Sequence, residues 1–265
     1  MLKDVTLGQY FPGDTVVHRL DPRTKIILVI VYIVALFNAY NWYSYALVAA
    51  VTLGCIAASR IKPKTIMKGL KPLIIVIVLT ALLNLFYTTG TPIVPGWIIT
   101  WEGLKKAVLL VARIIMLIAG TFLLTYTTSP IALTDGLEIL LNPLKKIKVP
   151  VHEMSMMMSM ALRFIPTLTE ETDKIMSAQK ARGADFETGS LLQRARALLP
   201  ILVPLFVSSF RRADELAVAM ESRCYHGGEG RTRMKTLKYA NRDLWALLLG
   251  AAFLAGVIAL KKFGL

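Results

Sequence analysis

The chain has 265 residues, of which 55% are hydrophobic and 18% charged, with mean hydropathy +0.57, a formal net charge of +14 and a pI near 9.9. A soluble domain of this length carries nearer a quarter charged residues, and here the apolar excess falls in long runs, which argues against a water-soluble globule. The basic residues bracket those runs and are not interleaved with aromatics. They fit the positive-inside bias of membrane loops and exclude a nucleic-acid-binding surface.

The first 25 residues are polar, and the apolar run after them has no small-residue cleavage site, so a removable leader is not expected. Asp21-Pro22 reads as a helix N-cap and first-turn proline, opening a first span over Ile26–Ala39. The uncharged turn Asn41-Trp42-Tyr43-Ser44-Tyr45 is placed outside, and a second span follows over Tyr43–Ala58. Arg60, Lys62, Lys64, Lys68 and Lys71 then crowd one loop without an acid, which assigns it to the cytoplasm. A third span covers Pro72–Phe86. Thr88–Trp101, with Pro92, Pro95, Gly96 and two tryptophans, reads as an outer interfacial loop, and a fourth span covers Lys106–Tyr126.

Beyond Ser129-Pro130 the texture changes. Charges mix with apolar residues at helical spacing, and the longest apolar stretch, Leu198–Phe210, holds two prolines and is too short to cross about 30 Å of hydrocarbon. A fifth span over Leu244–Leu260 closes the chain, although Lys261 and Lys262 at its outer end run against the charge bias. The expected organisation is an N-terminal cytoplasmic segment (1–25), four spans (26–128), a cytoplasmic helical region (129–240) and a last span with the C-terminus (241–265). The fold class is all-α integral membrane protein, with about five transmembrane helices and long amphipathic helices beside them.

Two segments of the helical region are alike. Val151–Arg182 carries apolar residues at Met154, Met157, Ala161, Phe164, Leu168 and Ile175, with Pro166 as a kink site. Leu191–Arg223 does the same at Ala195, Leu198, Leu202, Leu205, Leu216 and Met220. Antiparallel or crossed packing through these stripes is the economical arrangement. Each segment ends in an arginine: Ala181-Arg182-Gly183 and Ser222-Arg223-Cys224. Gly183 is a natural helix stop, whereas the second stop is expected at Gly227-Gly228.

One such arginine is ordinarily just a partner for the helix C-terminal dipole. Two in matched context suit carboxylates in paired grooves of a two-fold partner, because guanidinium is a planar and permanently charged fork. Met154, Met156, Met157, Met158 and Met160 either fill a core or form an adaptable contact surface.

Absences narrow the function. No phosphate-binding Gly-x-x-x-x-Gly-Lys-Ser/Thr loop, Gly-x-Ser-x-Gly, His-Glu-x-x-His or paired-cysteine motif occurs, so no catalytic centre, metal site or resident cofactor is expected. The spans hold no acid of the kind an ion-coupled carrier uses. Arg113 is the one charge deep in a span, read either as a protein contact or as a carbonyl-paired structural residue.

Gly8–Lys25 (GQYFPGDTVVHRLDPRTK), Ala181-Arg182-Gly183 and Ala219–Arg233 (AMESRCYHGGEGRTR), in that order around four spans and before a last one, resemble the T component of energy-coupling factor transporters. Cys224 departs from the family's X-Arg-Gly pattern. The resemblance implies an energy-coupling subunit of an ATP-driven vitamin or metal importer, without enzymatic activity of its own. Its partners would be two ATPases, identical or related, which bind ATP and magnesium, and a membrane-embedded substrate-binding S component. Residues 181–183 and 222–224 would dock the ATPases. Met154, Met157, Met158, Ala161, Leu202 and Leu205 would meet the S component. Competing readings are a conventional importer permease, whose Glu-Ala-Ala-x-x-x-Gly loop is missing here, and a membrane scaffold without transport.

Overall fold

The computed structural model describes residues 10–92, 100–186, 188, 190–227 and 236–262, with the side chain of Leu191 also left aside. The expected features at Gly8, Gln9, Pro95–Trp97 and Gly228–Arg233 lie outside the described residues. Among the described residues nine α-helices follow one another: α1 Pro22–Asn38, α2 Trp42–Ser59, α3 Pro63–Leu70, α4 Ile74–Tyr87, α5 Trp101–Thr127, α6 Pro130–Leu141, α7 Val151–Ala181, α8 Leu191–Glu221 and α9 Asn241–Lys262. A short 3-10 turn at Lys71–Leu73 joins α3 to α4. Among the described residues the only β-pairing is an isolated bridge between Pro92 and Thr100.

Among the described residues four helical stretches are long and apolar enough to cross a membrane: Trp42–Ser59, Pro63–Tyr87, Trp101–Thr127 and Asn241–Lys262. The protein is thus a multi-pass membrane protein. The expected first span, α1, has 17 residues, at the lower end of what a bilayer core requires.

The described residues divide into two compact units, one formed by stretches within residues 10–140 and 237–262, the other by those within 141–236. In the first, α1 lies along α9 and α5, α2 along α5 and α9, and α4 along α5. Ala35, Leu36, Ala39, Tyr45, Val48, Met116 and Val257 are buried together at its centre. Lipid tails are as apolar as these side chains, so close packing and hydrogen bonds hold such a bundle. Tyr32 supplies one such link: its hydroxyl donates to the Met116 carbonyl (2.9 Å) and meets Thr52 Oγ1 at 2.8 Å, joining α1, α5 and α2.

One end of this bundle is organised by charge. The Asp21 carboxylate caps α1 by accepting from the Arg23 backbone N–H (2.8 Å) and takes a forked pair of bonds from the Arg23 guanidinium (3.0 and 2.9 Å). Arg23 also donates to the Leu237 carbonyl (3.1 Å) and lies over the Tyr239 ring at 3.9 Å. Asp243, at the start of α9, accepts from the backbone N–H groups of Asp21 (2.8 Å) and Ala240 (2.9 Å). Lys25, the residue before the apolar run of α1, donates to the carbonyls of His18 (3.1 Å) and Thr127 (2.9 Å) and to Thr128 Oγ1 (3.0 Å). Burial pushes its ammonium down to about 8, against the opposing pull of Asp243 and Asp21. The starts of α1 and α9 and the end of α5 therefore meet in one satisfied polar cluster. At the opposite ends of α1 and α9, Lys261 donates to Asn38 Oδ1 (3.2 Å), so the two run parallel and the awkward terminal lysine has a local partner. Arg113 donates to the Ala39 carbonyl at the C-cap of α1 (3.1 Å) and sits over Phe37 and Tyr45, the carbonyl-paired reading of that residue.

Candidate functional site

In the second unit α7 and α8, of 31 residues each, span about 46 Å apiece at 1.5 Å per residue. They match the expected segments within two residues, and Pro166, Pro200 and Pro204 all lie inside unbroken helices. The two pack antiparallel. Arg212 pairs with Glu171, Gln179 reaches Pro200, and Met156, Met160 and Arg163 of α7 face Leu216 and Met220 of α8. The Gln179 contact has a cause in sequence. Pro204 has no N–H to give the Pro200 carbonyl four residues earlier, and the Gln179 amide donates to it instead (3.4 Å). A Ser190–Gln193 capping box starts α8: Ser190 N–H donates to Gln193 Oε1 (2.8 Å) and Gln193 N–H to Ser190 Oγ (3.4 Å).

The two helix ends are built alike. At the end of α7, Gly183 N–H donates to the Lys180 carbonyl and Ala184 N–H to the Gln179 carbonyl, both at 3.0 Å. At the end of α8, Cys224 N–H donates to Glu221 (2.9 Å) and Tyr225 N–H to Met220 (3.1 Å). These are the paired bonds of a Schellman motif, and in each the pivot residue is left-handed: Gly183 at φ +85° and Cys224 at φ +57°. Arg182 and Arg223 each stand one residue before the pivot, exposed, on the carbonyl end of the helix.

This corrects one expectation. The second stop is not at Gly227-Gly228 but at Cys224, since the chain reverses where the bonds close, even without a glycine. A Cβ in that conformation costs roughly 1–2 kcal/mol. Among the described residues neither arginine forms an ion pair. Ala181, Gly183, Ser222 and Cys224 are exposed around them.

The end of α8 opens onto a cleft of about 520 Å³ lined by Met156, Met160, Arg163, Met220, Arg223, Tyr225 and His226. Arg163 was not singled out from sequence. Its signal there is weak, one cation mid-helix, and only antiparallel packing brings it beside the cleft that Arg223 lines.

The residues expected to form a contact face are mostly at the surface of their helices. Met154, Met157, Met158, Ala161 and Leu202 are exposed, and Leu205 is half-buried. A second row on α8 was missed: Leu199, Val203, Phe206 and Phe210 are all exposed, and the Phe206 and Phe210 rings lie 5.8 Å apart. The steps of three and four residues were legible in the sequence, but nothing there tells which stripe faces α7. Among the described residues of this unit nothing covers the row.

Four stretches long and apolar enough to cross a membrane, with an antiparallel pair of long helices ending in matched arginines, define an all-α multi-pass membrane protein. The profile of the CbiQ family, described as cobalt transport protein, matches residues 13–234. The chain is 56% identical over 252 residues (94% of this chain, 93% of the relative) to the energy-coupling factor transporter transmembrane protein EcfT of Clostridium kluyveri. It is 54% identical over 259 residues to the protein of that name from Thermosediminibacter oceani (97% and 98%), and 50% identical over 246 residues to that from Bacillus subtilis (92% and 93%). The chain belongs to this family of energy-coupling factor transporter transmembrane subunits.

Proposed function

We propose that this chain is the energy-coupling subunit of an ATP-driven importer of a micronutrient, a vitamin or a metal ion, joining a pair of ATPases to a membrane-embedded substrate-binding protein. The observation that carries this reading is the repetition of one helix end: two exposed arginines, each one residue before the pivot of a Schellman turn, on two antiparallel rods. A partner that presents the same groove twice is met by the same tip twice. Each guanidinium would take a carboxylate of one ATPase as a forked ion pair. Ala181, Gly183, Ser222 and Cys224 would let the partner approach closely.

The rods then have a mechanical role. Opening and closing of the ATPase pair would displace the two tips, and a continuous helix transmits displacement along its length. The exposed Met154, Met157, Met158, Ala161 and Leu202, with half-buried Leu205, form the surface offered to the substrate-binding protein. Methionine suits a surface that must accept more than one partner, because its side chain repacks at low cost. The chain itself contributes no catalysis and holds no cofactor; ATP and magnesium belong to the partner ATPases. In this reading the cation-rich end of the bundle, the N-terminus and the two rods lie on the cytoplasmic side.

Copurification of the full complex tests this. Arg182→Ala or Arg223→Ala is expected to weaken ATPase retention, and the double variant to lose it. Full retention by the double variant at normal expression would refute the docking role. Stoichiometry separates the conventional permease reading: one copy of this chain per ATPase pair is expected here, and two copies would overturn it.

A further inference from the structure

No aspartate or glutamate occurs between Asp21 and Glu102, and within that interval Arg60, Lys62, Lys64, Lys68 and Lys71 fall in the short junction of α2 with α3 and α4. All five are exposed, and among the described residues none of them forms an ion pair. The junction is held rigidly. Arg60 is left-handed (φ 55°) and turns the chain, and Pro63 opens α3. Ile61 and Ile66 are buried with Ala119 and Tyr126 of α5. Gly69 lies so close to the Phe122 ring that a Cβ there would fall 2.3 Å from it. One face of α3 is thus pinned to α5.

The opposite face is left with Lys64 and Lys68 of α3 and Lys71, which opens the 3-10 turn continuing it, at i, i+4 and i+7. The same helical stretch then continues into exposed Ile75, Val78 and Leu82 (78%, 49% and 44% accessible). The window of Pro63–Tyr87 that qualifies as a span contains no buried residue. A row of cations that runs directly into a row of apolar side chains has the outline of a phospholipid, anionic at one end and hydrocarbon beyond. Free phosphate would engage only the first part.

We propose that the Lys64–Lys68–Lys71 row is a binding site for an anionic phospholipid, its headgroup phosphate on the ammonium groups and its acyl chains along Ile75, Val78 and Leu82. The charge is unopposed, and it stands at the membrane edge of a span, where each cation adds to headgroup attraction. A flexible ammonium suits a monoanionic phosphodiester as a point charge. The site is independent of the transport reading and of which side of the membrane the junction faces.

The full-length chain, equilibrated in mixed micelles of equimolar phosphatidylglycerol and phosphatidylcholine and weighed with its retained lipids by native mass spectrometry, provides the test. The native chain is expected to retain phosphatidylglycerol over phosphatidylcholine by roughly tenfold. Lys64→Gln/Lys68→Gln/Lys71→Gln is expected to bring the ratio near parity, while Lys64→Arg/Lys68→Arg/Lys71→Arg preserves it. If the glutamine triple does not fold, Lys68→Gln alone should lower the ratio by roughly twofold. An unchanged ratio in the glutamine triple, or in Lys68→Gln alone where the triple does not fold, would overturn the proposal. So would displacement of the retained lipid by millimolar inorganic phosphate, which would mean an anion site without a lipid.

Discussion

The membrane bundle and the pair α7–α8 solve opposite problems. In the bundle the charged groups Asp21, Arg23, Lys25 and Asp243 are buried and find partners within the unit. In the pair the large apolar groups Met157, Val203, Phe206 and Phe210 are exposed, and the arginines at both tips stand in solvent. A buried charge without partners is expensive, so the bundle's cluster must be complete before folding is favourable. An exposed apolar row is tolerated only if something covers it in the working assembly. On the proposed function the bundle is finished by folding and the pair by assembly, so substitutions in the two units should fail in different assays.

The largest separation is expected from Arg182→Ala/Arg223→Ala. ATPase copurification should be nearly abolished while the thermal midpoint of the isolated chain stays put, because both side chains are solvated. Asp243→Ala should do the reverse. It strands two backbone donors and removes a carboxylate near Arg23 and Lys25, and should cost about 3 kcal/mol in thermal or denaturant unfolding. Asp243→Asn, which keeps an acceptor, should cost less.

Lys25 gives the bundle a pH signature. Its folded-state value near 8 lies below the ordinary 10.5, so the unfolded chain binds more protons between those limits. Stability of the purified chain should rise from about pH 8 toward 10.5 and be level below 8 for this group; Lys25→Met should remove that rise.

The two helix ends sharpen the comparison within the pair. Gly183→Ala should cost about 1 kcal/mol and Cys224→Gly should gain a similar amount, read as hydrogen exchange at the amides that close each turn. Cys224→Ser keeps the same strained backbone and should change stability by less than about 0.5 kcal/mol, with uptake near normal.

Much of this was readable in the residue order. The bounds of α7 and α8 followed from apolar spacing and from Gly183, and the cap at Asp21-Pro22 from local hydrogen-bond chemistry. What could not be read were relations between distant residues. Asp21 and Asp243 stand at opposite ends of the chain, and neither carries a sign that the other completes it. The pivot at Cys224 was misread because glycine preference is only a statistical tendency, while the two Schellman bonds to the Glu221 and Met220 carbonyls hold a cysteine in the same geometry. Arg163 and the Phe206–Phe210 row were overlooked for a different reason: a helix pattern contains several stripes, and the partner helix selects among them.

Composition and periodicity alone determined that this chain is helical, lies in a bilayer and ends two long rods in arginine, because each of those depends on residues within a few turns of one another. The tertiary structure decided which charges are buried together and which apolar stripe is left uncovered. Those outcomes depend on contacts between segments far apart in the chain, whose energies exceed the local preferences that a sequence displays.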